Sequence, residues 1–129
     1  MLVLSHHADV AQMLDRPVWS ALTTRHRRFA LVARGARCLP EDIGPFAALG
    51  EDDRTGMDGL DRLAANRITG ITLLQAGKPR YPESLRCVLS SHARQMVADR
   101  RLAPSRIGDA VRLSASDMPE MMELARLTK

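Results

Sequence analysis

The sequence predicts an α+β fold, a mostly antiparallel sheet with short helices, and three observations carry that expectation. Stretches with apolar residues at i, i+3 and i+4 are interspersed with compact apolar runs of strand character. Proline and glycine interrupt the chain at short intervals, so no element is long. The elements do not follow the strict strand–helix alternation that signals an all-parallel sheet.

Taken in order, Val10, Met13 and Leu14 give the first helical spacing, with Asp9 near the start of that helix. Pro17 suits the first position of a second short helix, whose face is Val18, Ala21 and Leu22, with Trp19 on its flank. The pair Thr23-Thr24 and the basic run Arg25-His26-Arg27-Arg28 end it, and the period changes at Phe29-Ala30-Leu31-Val32-Ala33, a strand. Arg34 and Gly35 form a bend, and residues 36–39 return as the second arm of a hairpin. Pro40, Gly44 and Pro45 place the next stretch in a loop or at a sheet edge, after which Phe46-Ala47-Ala48-Leu49 reads as a buried strand.

Residues 51–59 (EDDRTGMDG) read as a surface connection leading into a helix from Met57 or Asp58 to Asn66, with Leu60, Leu63 and Ala64 inward and Asn66 as its cap. The clearest strand is residues 70–75 (GITLLQ). Beyond the loop GKPRYP, residues 84–89 and 94–98 are two further expected strands. Residues 101–106 form a linker and end a first domain, residues 1–107. A second begins at 108 and runs to 129, with a strand at 109–113 (DAVRL) and a helix opened by Asp117 with Glu120 in a capping-box spacing. Met118, Met121, Met122 and Ala125 make that helix's apolar stripe.

Composition sets the outer bounds. With 129 residues, 45% hydrophobic and 26% charged, the chain is one domain or one and a fraction, able to bury a core. The longest apolar runs, such as residues 29–33, fall far short of the roughly 20 residues that span a bilayer. His6 and His7 follow Met1-Leu2-Val3-Leu4 without the basic and apolar regions of a secretion signal, so the expected compartment is the cytoplasm. Cys38 and Cys87 are too few and too far apart in sequence for a disulfide scaffold or a four-ligand zinc site and read as reduced, buried thiols, each in an expected strand.

The net charge of +4 and the run RHRR invite a nucleic-acid reading. Trp19, Phe29, Phe46 and Tyr81 are the only aromatics available for base stacking, so the basic residues read as a solvated face and only salt-sensitive, non-specific nucleic-acid affinity is expected. His6, His7 and Asp9 lack the spacing of a metal site, His26 and His92 are isolated, and no G-x-S-x-G elbow supports a triad. Gly56 and Gly59 give G-x-x-G, too short for a phosphate loop. No catalytic, cofactor-binding or metal-ligating residue is assigned.

Five runs in order, LDRPVWSALTT (14–24), DIGPFAAL (42–49), TLLQA (72–76), QMVA (95–98) and SDMPEMMELARLT (116–128), resemble the amino-terminal half of a group of bacterial GNAT-superfamily N-acetyltransferases. The resemblance covers about Leu14 to Lys129. It implies that residues 109–113 and 117–128 match the first strand and first helix of the acetyltransferase domain proper. Acetyl-CoA is the family's cofactor, but no segment matches the [QR]-x-x-G-x-[GA] turn that cradles its pyrophosphate, so none of the family's site residues transfers to this sequence. The resulting expectation is a truncated, acetyltransferase-like protein without activity of its own; the alternative is a non-enzymatic interaction or dimerisation module that docks or dimerises through its Met-rich terminal helix.

Overall fold

The computed structural model describes residues 6–51, 53–96, 108 and 110–128, and of residues 6–10 the backbone alone. Two compact units emerge, Met1–Gln95 and Met96–Lys129.

In the first unit, α1 (His6–Asp15) and α2 (Pro17–Thr23) are separated by Arg16, whose φ of −132° breaks the helical run, with Pro17 opening α2. Val18 and Leu22, one turn apart, are the buried face of α2, as their spacing predicts. The Thr23 and Thr24 hydroxyls donate to the carbonyls of Trp19 and Ser20, at 2.8 and 2.6 Å, so the end of α2 has local partners for its orphan acceptors.

The basic run then forms a 3-10 turn over Arg27–Phe29, which takes Phe29 out of the expected strand. β1 (Leu31–Ala33), β2 (Ala36–Cys38) and β3 (Phe46–Leu49) make an antiparallel meander. β4 (Thr72–Leu73) joins parallel to β3, giving a mixed sheet in the order β1-β2-β3-β4. The parallel pair is closed by the crossover helix α3 (Arg54–Ala64), since parallel neighbours cannot be joined by a tight turn. Of the expected strand 70–75, two residues pair, both with β3.

α3 starts earlier than its apolar stripe suggests because Asp53 caps it, accepting the Gly56 N–H at 2.7 Å. It also ends earlier: Ala65 holds the cap position expected of Asn66.

The sheet separates two apolar layers. Ala36, Cys38, Ala47 and Leu49 face Leu60 of α3, whereas Ala48 faces Val18 and Leu22 of α2. This follows from the two-residue period of a strand, and β3 is apolar throughout because Ala47, Ala48 and Leu49 are buried between the two layers, while Phe46 at its start is exposed.

The β1–β2 bend divides its labour unexpectedly. Arg34, not Gly35, takes the positive φ, +46°. Gly35 is needed for clearance: a Cβ there would lie 3.1 Å from Gly56 Cα and N on α3. The Arg34–Asp58 ion pair, 3.8 Å and half exposed, offsets little of the strain. Arg34→Gly is therefore expected to raise unfolding stability by about 0.5 kcal/mol, read as a higher urea midpoint.

The expected strands at 84–89 and 94–98 do not form over residues 84–96; residues 97 and 98 lie outside the described residues. Leu85 packs against the α3-side core and the Ser84 hydroxyl bonds Asp61 at 2.5 Å, but Val88 and Leu89 remain 84% and 80% exposed. High β-propensity does not make a strand unless the segment pairs, and residues 84–96 pair with neither outer strand of the sheet.

In the second unit, α4 (Met118–Leu127) follows a 3-10 turn over Ala115–Asp117. Residues 110–113 are not a strand, and Asp109 lies outside the described residues. A lone strand has no ladder to join. The capping box sits one turn before the expected Asp117/Glu120 pair: Ser114 is the N-cap and Asp117 its reciprocal partner, accepting the Ser114 N–H at 2.6 Å.

Candidate functional site

Three places bring polar side chains together. The first lies where Arg16 joins α1 to α2. Its guanidinium donates to the Gly50 carbonyl at 2.6 Å and to that of Leu49, tying the helix junction to the end of β3. Trp19 stands 5.9 Å from the Arg16 guanidinium and 5.7 Å from that of Arg37, close enough for cation–π attraction to both. Two open grooves of about 450 and 650 Å³ share Arg16, Gly50 and Glu51 as walls. The larger is also lined by Trp19, Ser20, Thr23 and Thr24. Arg16 is spent on main-chain carbonyls, and the two threonine hydroxyls on α2, so these groups serve the fold.

The second place is organised by Arg67. Its Nη1 donates to the Leu39 carbonyl at 2.7 Å, its Nη2 to Gly44 at 3.0 Å and its Nε to Gly70 at 3.1 Å. Arg67 Nη1 also lies 3.8 Å from Cys38 Sγ. Burial pushes the Cys38 thiol up, with Arg67 opposing, so this thiol resists ionisation and is a poor nucleophile. Across the same loop, Glu41 accepts the Ile68 and Thr69 N–H groups and the Thr69 hydroxyl; the Thr69 bonds foremost hold its carboxyl below the ordinary value. No sequence pattern pointed to Arg67, because its partners are main-chain carbonyls that only the fold brings near.

The third place is the turn from β3 into α3, where Asp53 occupies the helix N-terminus. Gly56 and Gly59, the G-x-x-G pair, face inward: added Cβ atoms would collide with the carbonyls of Glu51 and Ala33. Their role is close packing of α3 on the sheet.

The other residues weighed from sequence are dispersed. His6 and His7 lie in α1, and the side chains of His6, His7 and Asp9 lie outside the described residues. His26 is exposed and meets Phe29 edge-on at 6.4 Å. His92 is exposed in irregular chain. Cys38 is buried in β2 as expected, but Cys87 is exposed and outside any strand, which corrects its reading as a buried thiol. Met118, Met121 and Met122 are about half exposed on α4. Among the described residues no group of three histidine, cysteine or acidic side chains is placed to hold a metal, and no helix is long and apolar enough to cross a membrane.

The first unit is thus an α+β layered domain, a mixed four-stranded sheet with α2 and α3 on its two faces. No family model, curated protein or solved structure matches the chain.

Proposed function

We propose that this chain is a GNAT-like module that does not itself transfer acetyl groups and acts by binding, with self-association through the apolar face of α4. The GNAT part rests on the ordered sequence runs described above. The observation that carries the absence of acetyl transfer is the Asp53 cap. A pyrophosphate needs open N–H groups at a strand-to-helix turn, and at the β3–α3 turn a carboxylate already takes the Gly56 N–H, with exposed Glu51 close by. At the turn into α4 the Asp117 carboxyl accepts the Ser114 N–H and hydroxyl, which hold it below its usual value and keep a negative charge at that helix start. These turns repel an anion.

Self-association is supported by the exposure of Met118, Met121 and Met122, which share one face of α4, an apolar stripe of the kind that marks an interface. Calorimetry and light scattering test the two parts. Acetyl-CoA is expected to give no binding heat at micromolar concentration, and the chain is expected to associate as its concentration rises, an effect abolished by Met121→Glu/Met122→Glu. Micromolar acetyl-CoA binding overturns the first part. A parent chain monomeric at high concentration, with the double substitution lowering its melting temperature, overturns the second.

A further inference from the structure

Beyond that reading, we propose that the open edge of the sheet at β1 is a docking site for an extended acidic peptide segment of a partner protein, added as a further strand and anchored by Arg25, Arg27 and Arg28.

β1 is the first strand of the sheet and has a neighbour on one side only. Its register shows which groups face outward. The Leu39 N–H donates to Phe46 and the Gly50 N–H to Gly35, so the odd-numbered residues of β2 bond toward β3. Ala36 and Cys38 therefore bond toward β1, where they oppose Ala33 and Leu31. Val32, between these two, turns its N–H and C=O to the open side, and neither has a partner among the described residues. Ala30, at φ −74° and ψ 124°, continues the extended backbone before β1.

Natural sheet edges are commonly guarded by a very short edge strand, inward charges, proline or a covering element, and of these β1 has the short length, three residues. Here Leu31 and Val32 are 49% and 56% exposed, leaving aliphatic surface on both faces of the edge. A peptide strand would cover these side chains while its backbone bonds Val32, as in strand addition generally.

Charge selects the occupant. Arg25, Arg27 and Arg28 are exposed just before the edge and form no ion pair among the described residues. An acidic segment matches them. A second copy does not: antiparallel pairing of β1 with itself about Val32 brings Arg27 and Arg28 of one copy toward Arg34 of the other. A nucleic acid is disfavoured because Phe29 is a single stacking ring beside these arginines and already has the Arg28 guanidinium 4.6 Å from its centroid.

The test uses the whole chain and a hexapeptide alternating glutamate with valine, followed by fluorescence anisotropy and by the amide spectrum of the protein. Binding is expected at low salt, with the Val32 amide among the resonances that shift. Methylating the peptide's valine nitrogens, or substituting Arg27→Ala/Arg28→Ala, is expected to weaken binding at least about tenfold. The matching lysine–valine peptide is expected not to bind. The proposal is overturned if the methylated peptide binds as tightly as the parent, since contact is then by charge alone. It is overturned equally if Val32 does not shift, if no binding occurs, or if oligo-dT binds more tightly than the acidic peptide. The methylated ligand leaves the protein unaltered, so a folding defect in the arginine variant cannot imitate the expected result.

Discussion

Gly59→Ala is expected to destabilise the first unit by at least about 3 kcal/mol, a large share of the roughly 5–15 kcal/mol that holds a domain together. The added methyl would run into the Ala33 carbonyl oxygen and lie 3.1 Å from Ala36 Cβ, both on the β1–β2 hairpin beneath α3. Those atoms belong to a paired ladder and cannot swing aside as a flexible side chain would. Relief requires α3 to lift from the sheet, which uncovers Leu60, at present fully buried against Ala36, Cys38, Ala47 and Leu49. Gly108→Ala is the control, because among the described residues nothing lies within 4 Å of a Cβ there. A urea titration followed by circular dichroism reads both, and equal midpoints for the two variants would refute the close-packing role of Gly59.

Arg67→Ala is expected to cost about 2–3 kcal/mol, since three carbonyls on two separate loops lose a charged donor at once. Leu39 and Gly44 lie on the segment before β3, and Gly70 lies just before β4. Arg67 therefore fixes both approaches to the parallel β3–β4 pair. Lysine carries the charge but presents a single ammonium on a flexible stem, so Arg67→Lys is expected to recover only a minor part of the loss. If thermal melts show Arg67→Lys as stable as the parent, charge rather than the planar fork is what matters there, and the assignment fails.

Much of the first unit was legible because local chemistry and tertiary packing agree there. Pro17 with the Val18, Ala21, Leu22 spacing located α2, and the bend at Arg34-Gly35 located the β1–β2 hairpin. The uniform apolarity of residues 46–49 located a buried strand, and Cys38 proved buried as its neighbours implied. The readings that departed from the structure needed information the residues do not carry. Residues 84–89 are as strand-like as β1, yet they do not pair, and Cys87 is exposed in consequence. The apolar stripe of α3 suggested a start near Met57, whereas the Asp53 side chain sets the start at Arg54. In the second unit the Met118, Met121, Met122 spacing marked the helix, but the N-cap went to Ser114.

For the candidate sites the division is sharper. The sequence offered no motif for a catalytic or metal site, and it displayed the basic run before β1 plainly. It could not show that this run stands beside an unpaired sheet edge, because strand order is a relation between segments that no single segment records. By itself, then, the sequence determined the α+β class, the helical and strand faces of the first unit and the amphipathic character of α4, all properties that follow from side-chain periodicity over a few residues. Only the tertiary structure decided that β4 runs parallel to β3, that Gly35, Gly56 and Gly59 are there for helix–sheet clearance, that Arg67 clasps three carbonyls, and that β1 is left open. Each of these depends on which distant backbone atoms meet, and that is settled by burial of the whole core rather than by local preference.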